Sequence, residues 1–160
     1  KISAKKNYAA EARSAIAVAA GKDQGELVAR SLVESCISDG VVAFQRFCEV
    51  TYRGLPHEKE PSSNVFQRLT DGSQLWRELV GEGYEDWIDT ADLAALHVLF
   101  QRRHLLAHSD GIVDEKYVAK SGDSTYKVGQ RIVVSESDVD TLVRVLATLV
   151  SNIRRLATGQ

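Results

Sequence analysis

Ser135-Glu-Ser-Asp-Val-Asp-Thr-Leu-Val-Arg-Val-Leu-Ala-Thr-Leu-Val-Ser-Asn-Ile-Arg-Arg-Leu-Ala-Thr158 is the stretch whose spacing decides the fold class. Val139, Leu142, Val143, Leu146, Val150, Ile153 and Leu156 recur at three- and four-residue steps. One apolar stripe therefore runs its whole length, as on an amphipathic helix. Ser135 or Ser137 stands where a helix wants its N-cap. A stripe this long needs a covering partner, and the chain upstream offers helices. Residues 26–53 carry Val28, Leu32, Cys36, Ala43, Phe47 and Val50 close to a second stripe, interrupted at Gly40. Residues 91–108 form a third helix, with Thr90 as cap, Asp92 in the first turn and Gly111 as a left-handed stop.

The intervening pieces are shorter. Residues 54–61 read as a loop, because Pro56 and Pro61 exclude a helix interior. Two short helices are expected over 64–69 and 74–80, capped by Ser62 or Ser63 and by Ser73, with Asp71-Gly72 as the turn between them. The acidic stretch 82–92 reads as solvated surface, and residues 112–125 as loop. Val128 and residues 132–134 flank Gly129-Gln130 and predict a small β-hairpin insertion around 126–134. Residues 1–24 read as an N-terminal tail or an Ala-rich helix, with Gly21 and Gly25 bracketing a break. The expected fold is all-α: a helical bundle of four to five main helices over residues 25–158.

Composition agrees with one globular domain. The chain has 160 residues, 44% hydrophobic and 26% charged, enough to bury a core and too apolar for a disordered chain. A net charge of −2 excludes a strongly basic nucleic-acid arm but leaves room for a small cationic site. Cys36 and Cys48 lie on one predicted helix, separated by ~18 Å of helix axis. That exceeds the ~7 Å limit for a disulfide, so both read as buried free thiols of a reducing, cytoplasmic compartment. No run of 18 apolar residues occurs, and no membrane partner is expected. The chain opens at Lys1 and contains no Met, which predicts an excised domain with something upstream.

The chemistry gathers in Leu96-His-Val-Leu-Phe-Gln-Arg-Arg-His-Leu-Leu-Ala-His-Ser-Asp-Gly111. At about 100° per residue, Leu96, Phe100, His104 and Ala107 fall within about 60° of Leu93. His97 and His108 lie near the same face, and Arg103 at its edge. The helix is apolar on more than one side, yet this face is rich in histidine. It is expected to meet a second copy or to line a cleft, because arginine is almost never buried unpaired.

Three readings of these residues compete. His104 and His108 have the i, i+4 spacing of two metal-binding imidazoles, but Leu105, Leu106 and Ala107 leave no glutamate between them. His97 stands ~10 Å further up the axis, and no metal ligand is assigned. In a structural reading His104 is satisfied in the core and His108 binds a helix-end carbonyl. The third reading is acid–base chemistry on a phosphodiester. Imidazole exchanges protons near neutrality, and the planar arginine fork suits phosphate oxygens.

Arg103-His-Leu-Leu-Ala-His108 resembles the R-x4-H motif of HEPN domains, at the C-terminal end of a helix in an all-α bundle. The resemblance covers roughly residues 26–158. It implies a metal-independent endoribonuclease that dimerises so that two motifs face one composite cleft. By carry-over, Arg103 stabilises the scissile phosphate, His108 is the general acid/base, and His104 orients the site or binds phosphate. The implied products are a 2′,3′-cyclic phosphate and a 5′-hydroxyl, with no cofactor. The implied setting is a toxin–antitoxin or antiviral defence system, with RNA as substrate, a homodimer, and an antitoxin or activating partner domain. One toxin branch continues the motif as H-x-Y; here Ser109 and Asp110 follow His108, so control through that tyrosine is not expected. The alternative is a non-catalytic bundle of the same kind that binds a nucleotide or a protein.

Other residues read as structural. Arg102 is expected in a surface ion pair, and Arg154 and Arg155 at a helix C-terminus. Lys5 and Lys6 read as a solvated tail, Trp76 and Trp87 as core or interface anchors, and His57 as exposed.

Overall fold

The computed structural model describes residues 1–158 and is helical throughout its regular parts. The helices are α1 (Ile2–Ala20), α2 (Lys22–Arg53), α3 (Leu69–Val80), α4 (Tyr84–Trp87), α5 (Thr90–His108), α6 (Glu115–Ser121) and α7 (Glu136–Thr158), with a 3-10 turn at Val65–Gln67. Against the four to five main helices expected over residues 25–158, six lie there among the described residues, with α4 and α6 formed in segments read as surface and loop, and α1 adds a seventh ahead of them.

α7 buries four of the seven expected stripe residues, Val139, Leu142, Leu146 and Ile153, together with Val145 and Leu149, while Val143, Val150 and Leu156 pack half-buried against the core. Its N-terminus is a capping box: the Asp138 amide donates to Ser135 Oγ at 3.1 Å, and the Ser135 amide donates to Asp138 Oδ2 at 2.8 Å. α2 is one unbroken helix, but its buried face is rotated from the expected stripe. Ala29, Val33, Cys36, Ile37, Gly40, Val41, Phe44, Cys48 and Tyr52 are inside, whereas Val50 is 73% exposed and Ala43 is exposed. The cause is close helix packing on small residues. A Cβ on Gly40 would sit 2.7 Å from Leu142 Cδ2, and one on Gly25 would overlap the Arg13 carbonyl of α1. Gly25 therefore lies inside α2, and the break falls at Gly21 alone.

Residues 2–20 take the helical alternative and fold back along α2. Lys5 and Lys6 are not a free tail: they pair with Asp39 at 2.8 Å and Asp140 at 2.6 Å. α3 runs through Asp71-Gly72 without a turn, so the two short helices expected there become the 3-10 turn and a longer α3. The acidic stretch is likewise engaged. Glu82 accepts from Trp87 Nε1, Glu85 and Asp86 hold Arg77, Asp89 caps α5 in place of Thr90, and Asp92 pairs with Arg144. Aromatic rings of Tyr52, Phe66, Trp76, Trp87, Tyr84 and Phe44 form a continuous core, and Phe100 joins it edge-on to Phe44 at 6.5 Å. Trp76 and Trp87 are thus core residues. Cys36 and Cys48 are free and buried, as read.

No strand forms among the described residues. The expected hairpin over 126–134 is replaced by a single antiparallel bridge, Ile112 to Arg131, between the chain leaving α5 and the chain approaching α7. The Ile132 amide donates to the Gly111 carbonyl and the Val113 amide to the Gln130 carbonyl. The hairpin pattern was present, but its partner lies some twenty residues upstream. Asp110 and Gly111 are both left-handed, at φ 50° and 77°, which turns the chain at the end of α5 as the glycine predicts.

Candidate functional site

α5 is held at three points. At its start Asp92 takes Arg144 of α7 through two bonds of 2.6 Å. In its middle Phe100 packs on Phe44. Near its end Arg102, expected in a surface ion pair, is instead 12% exposed and bound to Asp123 at 2.9 Å and Asp138 at 3.2 Å. Tyr117 of α6 donates its hydroxyl to the same Asp123 oxygen at 2.6 Å. Burial opposes the Asp123 charge, but the bonds from Tyr117, Thr125 and Arg102 outweigh it and hold the carboxyl well below its usual range. The same contact, added to burial, pushes the Tyr117 hydroxyl up to about 12.

This clamp fixes the helix rotation, and with it the neighbouring Arg103. Arg103 is half-buried and turns away from Arg102 into a cleft of about 400 Å³ between α3, α5 and α6. There its Nη1 donates to Gln67 Oε1 at 3.1 Å, while its buried Nε has no partner. Gln67 is held in turn by Gln45 of α2, whose amide donates to Glu49 at 2.8 Å and to Asn64 at 2.9 Å. A chain of amides thus backs the guanidinium.

His104 lines the same cleft; its imidazole is exposed and tilted against that of His108, with centroids 4.6 Å apart. Burial, then the neighbouring His108 and Arg103, lower the His104 pKa below its ordinary value. His108 is exposed beyond His104 and does not line the cleft. The structure therefore joins Arg103 to His104 and His104 to His108, but directs Arg103 and His108 to different sides of α5. Among the described residues no three His, Cys, Asp or Glu side chains converge on one point. His97 donates its Nε2 hydrogen to the Lys120 carbonyl at the end of α6, at 2.7 Å.

His57 is not simply exposed. Its Nδ1 lies 2.8 Å from the Leu55 carbonyl and its Nε2 3.0 Å from Glu60. These bonds raise its pKa, but the residue does not line the cleft. Arg154 lies over Phe47 at 5.5 Å, an intramolecular cation–π contact.

Sequence reasoning found the motif residues and missed their surroundings. Gln67, Gln45 and the whole of α6 were not singled out. The α6 signals were present: Asp114 caps by accepting from the Tyr117 amide, and Gly122 closes the helix at φ 68°. Gln67 carries no local signal, because its role comes from a fold contact across 36 residues. No family model matches the chain, and neither a curated protein nor a solved structure matches it.

Proposed function

We propose that this chain is a metal-independent endoribonuclease domain of the HEPN type, acting as a homodimer in a toxin–antitoxin or antiviral defence system. The observation that carries the reading is the divergence of Arg103 and His108 on one helix. Residues at i and i+5 point about 140° apart, and here one enters a cleft while the other is exposed. A phosphate touched by both kinds of side chain is best met by two copies of α5 facing each other, each copy supplying what the other directs away. The resemblance of Arg103-His-Leu-Leu-Ala-His108 to the R-x4-H motif supports the same arrangement and alone supplies the defence setting.

In this mechanism the ribose 2′-oxygen attacks the adjacent phosphorus and gives its proton to an imidazole. Arg103 stabilises the charge that builds on the phosphoryl oxygens. The bond to the 5′-oxygen breaks, and an imidazolium protonates that leaving group. His108 and the same residue of a second copy divide the base and acid roles. His104, whose ring stands 4.6 Å from that of His108 between centroids, orients it. The products are a 2′,3′-cyclic phosphate and a 5′-hydroxyl, which balances without water or metal.

A second reading, a non-catalytic module that binds a nucleotide or a protein, is favoured by the bond that ties Arg103 to Gln67. One assay separates them: RNA cleavage in excess EDTA by wild type, Arg103→Ala and His108→Ala, with sedimentation to give the oligomeric state. The ribonuclease reading expects chelator-resistant cleavage by a dimer, lost in both variants. Folded, dimeric protein that cuts nothing turns the weight to the binding module. Cleavage lost on chelation returns it to metal at His104 and His108.

A further inference from the structure

We propose that α6 is a phosphate rail: Lys116 and Lys120 bind the backbone of single-stranded RNA beside the reacting phosphate, an inference that rests on the ribonuclease reading for its ligand. The cleft that receives Arg103 and His104 is walled on its far side by α6, and both lysines line it. They are one turn apart, about 6 Å along the helix axis, and both ammonium groups are on the exposed surface. Among the described residues Lys5, Lys6 and Lys59 form ion pairs, whereas Lys116 and Lys120 have no carboxylate partner.

The charge balance of the cleft runs against that of the chain. Its lining holds Arg68, Arg103, Lys116 and Lys120 against two carboxylates, Asp71 and Asp114, on a chain of net charge −2. Both carboxylates are already occupied, Asp71 by Arg68 and Asp114 by the first turn of α6. The free cations are therefore Arg103 and the two α6 lysines, and Arg103 brings a buried Nε with no partner. A polyanion is the ligand such a concave, locally positive site attracts.

The rotation of α6 is built, not incidental. Tyr117 is buried and bonded to Asp123, and the Lys120 carbonyl is held by His97 of α5. With Tyr117 turned inward, residues 116 and 120 share the face toward the cleft. The cleft, at about 400 Å³, has room for about one unstacked nucleotide, which favours a single strand over a duplex as the ligand.

The test measures binding of a fluorescein-labelled, unstructured RNA oligonucleotide by anisotropy across a KCl series. All forms carry His108→Ala so that the probe survives. Each phosphate contact on a single strand contributes about 0.7 to the slope of log K against log salt. Lys116→Gln with Lys120→Gln is expected to reduce that slope by about 1.4 and to weaken binding to every sequence alike. Lys22→Gln with Lys127→Gln, an exposed pair outside the cleft, removes the same charge and is expected to leave the slope unchanged. The same RNA in duplex form is expected to bind more weakly. Equal slopes for the two double variants overturn the rail, as does tighter binding of the duplex. If wild type still cuts RNA in that case, the ribonuclease reading stands without the rail. If the slope falls as expected but wild type cuts nothing, the rail stands and the ribonuclease reading falls. Absence of RNA binding at the lowest salt by folded protein, verified by circular dichroism, overturns both.

Discussion

Asp123 holds Arg102 at 2.9 Å with side-chain exposures of 4% and 12%, and this pair ties together α5, α6 and the approach to α7. Both charges are largely out of water, and removing Asp123 leaves Arg102 with only its longer, more exposed contact to Asp138 at 3.2 Å. Breaking a buried pair in this way costs about 3–5 kcal/mol. Asp123→Ala is therefore expected to lower the urea midpoint strongly. Arg102→Met with Asp123→Leu, which removes both charges, is expected to recover much of that loss. Chemical denaturation of the three proteins checks it; equal stability of the single and double variants would show that the pair carries no buried-charge penalty.

Gly40 faces Leu142 where α2 crosses α7, and a Cβ there would stand 2.7 Å from Leu142 Cδ2. Leu142 is fully buried, so its side chain must repack within the core to make room. Gly40→Ala is expected to destabilise by about 1–3 kcal/mol through overpacking, despite the better helix propensity of alanine. Leu142→Ala alone leaves a cavity and costs about 2–5 kcal/mol. Combined, the two losses should not add, because the new methyl fills part of the cavity. A double-mutant cycle measured by thermal unfolding reads the coupling, and strict additivity would mean that the helices shift apart.

These packing details explain how much was legible in the sequence. α7 was readable because its core positions are large and evenly spaced. α2 was misread by about one position because three of its contacts, Gly25, Ala29 and Gly40, are small and score as nothing on a hydrophobic count. α6 was missed because a seven-residue helix has too few positions to show a period, although its cap and stop are plain in hindsight. At the candidate site, Arg103, His104 and His108 were legible because one helix carries all three. Gln67 and the α6 lysines were not, since distance in the chain hides them until the fold brings them to the cleft.

Glu85 provides a pH-dependent term. The hydroxyl of Ser73, with Arg77, lowers its pKa from 4.5 to about 2. A carboxyl depressed in the folded state stabilises the fold above its unfolded pKa and loses that contribution as pH falls. The window here is from about pH 4.5 down to about 2. Glu85→Gln is expected to be less stable than wild type at neutral pH and to converge with it near pH 2. Ser73→Ala is expected to move the Glu85 titration back toward 4.5 in carboxylate NMR, while also freeing the Tyr84 amide that the Ser73 oxygen accepts at 2.8 Å. A Glu85 titration unchanged in Ser73→Ala would remove the hydroxyl as the cause.

His104 gives the titration closest to the proposed chemistry. Burial lowers its pKa first, and the neighbouring His108 and Arg103 add to the effect. Its imidazole is thus expected to titrate below 6.5 and to be neutral at pH 7. The sign for stability follows: the folded state disfavours the charged ring, so this contribution is present above pH 6.5 and lost as pH falls. The rings stand 4.6 Å apart between centroids, close enough for each charge to be felt by the other. His108→Gln should therefore raise the His104 pKa part of the way to 6.5 and leave the burial effect in place. Two-dimensional NMR of the imidazole carbons follows both rings separately. An unmoved His104 titration in the variant would mean that the two histidines are electrostatically independent and that burial and Arg103 lower the His104 pKa without His108.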